Sequence, residues 1–420
     1  MKIALISEHA SPLAVQGGTD SGGQNVYVAY IARELGRAGH VVDVFTRRDD
    51  PALPAVIDFA PGVRVFPLAA GPARPIPKES LLPYMHEFGE RIVAQCASSP
   101  RPYDVAHANF FMSGLAGLQL REAFGVPLVI TFHALGKIRR RHQGQADAFP
   151  DIRLRIEEML VSCADRIIAE CPQDREDLVT LYGADERLIA DVPCGVDLAE
   201  LGPDDGRARE RLGLPADEFI VLQLGRMVPR KGIDNVVRAL GELRSRHRVD
   251  ARLMVVGGES AEPDDTRTPE IGRLRAIARE AGVESRVLFT GRRERAALRD
   301  YYAAADVFVT TPWYEPFGIT PLEAMACGRP VIGAAVGGIR HTVVDGTTGY
   351  LVPPQDPAAL AERLAHLHRN PDLARDFGKA GMRRVRRHFT WQRVTAALVS
   401  VYGGLQQPGI ARTTERRISL

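Results

Sequence analysis

A chain of 420 residues exceeds what one hydrophobic core usually fills, so two domains are expected. Hydrophobic content of 45%, charged content of 25% and a net charge of +2, with no aromatic-basic repeat, describe a soluble globular protein and give no sign of a nucleic-acid partner. Five scattered cysteines, none in a CxxC pair, fit a reduced cytoplasmic chain, and the opening MKIALISEHA is too short an apolar run for a signal peptide or a membrane span.

Residues 2–7 predict a buried strand, followed by Gly17, Gly18, Gly22 and Gly23 and a helix over residues 24–38. A glycine-rich turn before a helix start can hold an anion on unpaired N–H groups, although the same pattern also serves as a plain turn. It is not GxGxxG, and no acidic residue is placed for a dinucleotide ribose, which disfavours a dehydrogenase. Further strands are predicted at 41–45, 63–67, 104–108, 128–132, 166–169 and 188–192. After a linker at 195–215 rich in Gly, Pro and Asp they resume at 219–224, 253–256, 287–289, 307–309 and 331–332. Amphipathic helical segments separate most of them, a pattern that specifies α/β architecture with doubly wound parallel sheets. The ligand cleft then lies between two facing domains, beyond the carboxyl ends of their strands. Helices are predicted at 358–368, at 371–387 and from a Thr390 cap to 402. Residues 406–420 lack apolar periodicity, which predicts disorder.

Lys78 stands in a Pro-bounded loop, and His133 follows directly on the strand at 128–132. A lone histidine is more often structural, so its strand-end position alone makes it only a candidate. Lys137, Arg139, Arg140 and Arg141 form either a solvated face or a surface for a phosphorylated acceptor or an anionic membrane. In LQLGRMVPRKG, Arg226 and Lys231 come just after a strand end and before a helix starting near Gly232. Two fixed cations there can neutralise a leaving diphosphate without a metal, each contributing about 3 kcal/mol of transition-state stabilisation. The stretch DVFVTTPWYEPFGITPLEA, residues 306–324, runs from a buried strand through a Pro- and Gly-bounded loop into a helix. Thr320 as N-cap, Pro321 as first helical residue and Glu323 three positions after the cap predict a capping box, and with it an anion cradle. Glu315 caps nothing in this pattern, so hydroxyl donors such as sugars are its natural partners.

Glu315 and Glu323, eight residues apart around Pro316-Phe317-Gly318, resemble the signature of the family 4 retaining glycosyltransferases, which have the GT-B fold of two facing Rossmann-like domains. TDSGGQNVYV, residues 19–28, resembles the acceptor loop of the sucrose-phosphate synthases and D-inositol-3-phosphate glycosyltransferases of that family. The resemblance implies an acceptor domain at 1–198, completed by a helix at 391–405 that crosses back onto it, and a nucleotide-sugar domain at 199–390. It implies catalytic roles for His133, Glu315, Arg226 and Lys231. Glu315 would contact the hexose hydroxyls and Glu323 the ribose, with Gly23 and the backbone of Phe317, Gly318, Ile319 and Thr320 also on the donor. Gln24, Asn25, Lys78 and either Arg153 or Arg155 would face the acceptor.

The function so implied is transfer of a hexose from a nucleoside diphosphate sugar, UDP-glucose by preference, to a sugar, sugar phosphate or glycan precursor. Anomeric configuration is retained through front-face attack, and neither metal nor cofactor is required. Two departures disfavour inositol phosphate as acceptor: His107-Ala108-Asn109-Phe110 stands where relatives tend to have His-x-His-Tyr, and Ala134 replaces a Thr. Competing readings are a nucleotide-sugar 2-epimerase, a pyridoxal-phosphate phosphorylase and a non-catalytic sugar-nucleotide-binding protein. The base, the hexose, the acceptor and the oligomeric state stay open at this level.

Overall fold

The computed structural model describes residues 1–14 and 22–406, so Gly17, Gly18 and nearly all of the predicted disordered tail lie outside the described residues. Eight strands form the first sheet: β1 (Lys2–Ile6), β2 (Val41–Arg47), β3 (Ile57–Ala60), β4 (Val63–Leu68), β5 (Val105–Asn109), β6 (Leu128–Thr131), β7 (Arg166–Ala169) and β8 (Ile189–Asp191). Their order is β3-β4-β2-β1-β5-β6-β7-β8, parallel except for β3, which runs antiparallel to β4. The second sheet has β9 (Phe219–Leu224), β10 (Ala251–Val256), β11 (Val287–Gly291), β12 (Val307–Thr310), β13 (Val331–Ala334) and β14 (Gly349–Val352). All its pairs are parallel, in the order β11-β10-β9-β12-β13-β14.

The central strands are buried on both faces, as a parallel sheet between helical layers requires; β5, β6, β12 and β13 are buried throughout. Strand order reverses between β1 and β5 in one sheet and between β9 and β12 in the other. At such a switch point neighbouring loops diverge and leave a crevice. The loops that follow β1, β5, β9 and β12 therefore carry the site.

The last helix, Trp391–Gly404, leaves the second sheet and packs on helix Gly23–Arg37 of the first. Tyr402 near its end hydrogen-bonds the buried His107 Nδ1 on β5 at 2.7 Å. Where the chain passes between the sheets, Val196 bridges Thr390 in parallel, and its N–H donates to Phe389 O at 2.8 Å. One apolar cluster runs unbroken from Ile3 and Tyr27 through Trp391 to Phe317 and Leu322. No helix among the described residues is long and apolar enough to cross a membrane.

Candidate active site

A cavity of about 230 Å³ opens between the two sheets. Its first wall comes from Gly22, Gly23, Gln24 and Asn25 after β1, Phe110 after β5, His133 and Ala134 after β6, and Lys78, Arg139 and Arg153. The opposite wall is Arg226, Arg230 and Lys231 after β9 and Glu315, Pro316, Phe317, Gly318, Ile319 and Thr320 after β12. A second cavity of about 240 Å³ continues from Gly23, Arg226, Lys231 and Thr320 toward Glu323 and Arg295. Each site residue expected from sequence lines one or both of these, except Arg155, which is exposed on its helix.

The helix after the glutamate loop begins at Ile319, two residues earlier than the capping-box pattern predicts. Gly318, at φ +87°, takes the cap position, and no side chain among the described residues caps the helix. A left-handed cap suits Gly and would strain Thr, so the chain turns sooner. The first-turn N–H groups thus line the cavity with no side-chain acceptor of their own. Glu323 is freed from capping. Its Oε1 accepts from Arg295 Nη1 and its Oε2 from Tyr302 OH, both at 2.8 Å.

Glu315 forms an ion pair with Lys231, and Arg230 Nη1 stands 4.0 Å from the same oxygen. Burial opposes the charge on Glu315, but Lys231 and then Arg230 hold its carboxyl below the ordinary value. Burial likewise pushes Lys231 down to about 8, against the pull of Glu315. Two glycines that sequence reasoning passed over seat this loop. A Cβ on Gly337 would lie 2.0 Å from Glu315 O, and one on Gly338 2.3 Å from Phe317 O. The Gly338 N–H donates to Glu315 O at 3.1 Å, so the Val336-Gly-Gly turn after β13 is the floor beneath the glutamate loop.

His133 sits at φ +57° and Phe110 at φ +86°; two of the four described non-glycine residues with positive φ thus fall in this one cavity. The imidazole is clasped on both sides, Nδ1 by Glu170 Oε1 and Nε2 by Asn109 Oδ1, each at 3.1 Å. Burial works against the Glu170 carboxylate, and His133 brings it below its ordinary value. The ring is therefore fixed by protein partners, and the left-handed backbone turns the residue at the strand end. Glu170 follows β7 in AECPQD, where nothing in the spacing marks it as a partner of His133.

Arg153 is fully buried. Its Nε bonds Glu157 at 2.7 Å, its Nη2 bonds Ala134 O at 2.6 Å, and the rings of Phe149, Phe111 and Phe110 lie 4.4, 4.9 and 5.0 Å from the guanidinium carbon. Nη1 finds no hydrogen-bond partner among the described residues. A buried donor left open on a cavity wall is suited to an anionic ligand. Lys78 stands 3.7 Å from Glu79 on the same wall. The basic run is largely spent internally: Lys137 pairs with Glu158, Arg139 with Asp147 at 2.6 Å, and Arg140 with Asp151. Gln24 and Asn25 also serve the protein, donating to Asn109 O and Ser11 O at 3.1 Å each.

Residues 204–384 match the model of the glycosyl transferases group 1, and residues 21–200 that of glycosyltransferase family 4. The D-inositol 3-phosphate glycosyltransferase of Xylanimonas cellulosilytica is 39% identical over 425 residues, covering 99% of this chain and 98% of its own. This chain belongs to the family 4 glycosyltransferases. It is also 38% identical to the D-inositol 3-phosphate glycosyltransferase 2 of Catenulispora acidiphila over 407 residues, 96% of this chain and 94% of that one. The sucrose-phosphate synthase of Thermosynechococcus elongatus superposes with a TM-score of 0.88 at 38% identity, over 96% of this chain and 98% of its own. The two sheets are those of a GT-B glycosyltransferase, and the chain is an enzyme of hexosyl transfer.

Proposed function

We propose that this glycosyltransferase moves a hexose from a nucleoside diphosphate sugar, UDP-glucose by preference, to a hydroxyl of a phosphorylated sugar or cyclitol, with retention of configuration. The observation that carries this reading is the division of one cavity into two cationic walls. Arg226 and Lys231 with the helix start at Ile319 suit a departing diphosphate; Lys78 and the open Nη1 of Arg153 suit a phosphate on the acceptor. Glu315 on one wall and His133 on the other line the same cavity, in which the hexose would be transferred.

In this reading the diphosphate leaves on the same face that the acceptor hydroxyl attacks, and a diphosphate oxygen takes the hydroxyl proton. The C1–O bond to the diphosphate breaks as the C1–O bond to the acceptor forms. The protein supplies positioning, charge stabilisation and exclusion of water. No metal or organic cofactor enters the proposal.

Phe110 and Ala134 favour a distinct way of holding the acceptor phosphate. The Phe110 ring stacks on Arg153 and has no hydroxyl to offer, so the phosphate would be read by cations alone. The test is a mass-spectrometric screen of the purified protein with a panel of nucleotide sugars against phosphorylated and unphosphorylated acceptors. Product in the phosphorylated pool is expected. Product confined to the unphosphorylated pool overturns the acceptor reading, and consumption of no donor overturns the donor reading.

A further inference from the structure

Arg295 stands at a junction that the donor site alone does not explain. Its Nη1 holds Glu323 Oε1 at 2.8 Å, while its Nε donates across the cleft to Tyr30 OH at 3.0 Å and, on its own side, to Glu200 Oε2 at 2.8 Å. Tyr30 belongs to the helix of the first sheet, and Glu200 follows the passage between the sheets. Tyr30 OH also bonds Glu200, and the Tyr30 ring stacks on Trp391 at 5.3 Å with an interplanar angle of 5°. Trp391 in turn packs on Gly195, where a Cβ would approach within 2.8 Å. A single guanidinium therefore ties the Glu323 carboxylate to the point where the chain crosses between domains.

The carboxylate itself remains able to bind. Each carboxylate oxygen accepts two hydrogen bonds, and among the described residues Oε1 is used by Arg295 and Oε2 by Tyr302, once each. One accepting position on each oxygen is left, which is what vicinal hydroxyls of a ribose require. Arg295 Nη2 is also buried with no hydrogen-bond partner among the described residues, in the cavity that Glu323 lines. Ribose binding thus need not displace Arg295; it depends on Arg295 fixing the carboxylate plane.

We propose that Arg295 is a positioning residue that couples recognition of the donor ribose at Glu323 to closure of the two domains through Tyr30. This inference rests on the nucleotide-sugar reading of the site. With the domains closed, Tyr30 and Glu200 hold Arg295 from one side and Glu323 from the other. With them apart, Arg295 loses Tyr30, and the carboxylate loses its fixed orientation. A purely structural role for Tyr30 would alter stability or overall affinity but would leave the reading of the ribose hydroxyl unchanged.

Calorimetric titration of UDP and GDP and their 2′-deoxy forms into wild type and Tyr30→Phe tests this. The substitution keeps the ring on Trp391 and removes only the hydroxyl. Wild type is expected to bind the ribose form about tenfold more tightly than the deoxy form. Tyr30→Phe is expected to reduce that preference about fivefold, a coupling that Arg295→Lys also weakens because an ammonium lacks the planar fork. Full ribose preference in both variants overturns the coupling while the donor reading stands. Equal binding of ribose and deoxy forms by wild type removes the role of Glu323 on which the coupling depends. Failure of wild type to bind either nucleotide overturns the donor reading and this inference together.

Discussion

Lys231 should make the use of the donor fall on the alkaline side. Burial brings its pKa down from 10.5 to about 8. At pH 9 only about a tenth of the free enzyme would then carry this charge, so kcat/KM for the donor falls about tenfold per unit above 8. Complete loss of the cation corresponds to about 3 kcal/mol, or roughly a hundredfold in rate. A bound diphosphate favours the charged amine, so the limb in kcat lies at higher pH than the limb in kcat/KM. Glu315, Arg230 and Arg226 are the charged groups that face the amine. Asp174, raised to about 8 by burial and then by Glu170, also titrates here and is separated by Asp174→Asn. Stability moves the other way: between about 8 and 10.5 the unfolded chain holds more protons at this lysine, so its contribution to folding stability rises with pH. Initial rates from pH 6.5 to 9.5 for wild type and Lys231→Arg decide the matter. A limb that persists unchanged in the arginine variant refutes the assignment.

Four further outcomes are expected. Glu315→Ala should lower kcat by about a hundredfold or more and also lower the melting temperature, because Lys231 loses its buried ion-pair partner; equal turnover in variant and wild type would remove it from the chemistry. The product's anomeric proton coupling in NMR should match that of the donor, and inversion would overturn the front-face mechanism. Phe110→Tyr with Ala134→Thr should raise kcat/KM for an inositol phosphate about tenfold, because each adds a hydroxyl beside the Arg153 cation. Gly337→Ala should cost about 1–3 kcal/mol in thermal unfolding and weaken donor use as well, since its Cβ would strike Glu315 O.

The two sheets were legible because parallel strands buried on both faces read as short apolar runs, and these recur in phase with helical segments. Strands β3 and β14 escaped that reading: Ile57–Ala60 is a partly exposed edge, and Gly349–Val352 is brief and begins on glycine. The placement of Glu315, Glu323, Arg226 and Lys231 along the two cavities was legible through motif spacing, because one strand-to-helix segment carries each pair. Thr320 misled because Thr-Pro-Leu-Glu has the form of a capping box, whereas Gly318 accepts a positive φ that Thr does not. Glu170, Asn109, Arg230 and Arg295 had no local signal. Their roles arise from contacts across 24 residues for Asn109 with His133, 28 for Arg295 with Glu323 and 84 or more for the cation loop with Glu315, distances over which no periodicity carries information.

The chain crosses between domains twice, at Val196 and at Thr390, and those two passages are bridged to each other. Severing the chain near residue 200 would therefore not yield two autonomous halves. The first sheet would lose the helix whose Tyr402 satisfies His107, leaving a buried imidazole without that partner and the apolar face of helix Gly23–Arg37 uncovered. Recombination between relatives meets the same constraint. A chimera meant to import a new acceptor preference must graft two separated pieces of sequence, one from each end of the chain, or its halves will meet across a mismatched seam.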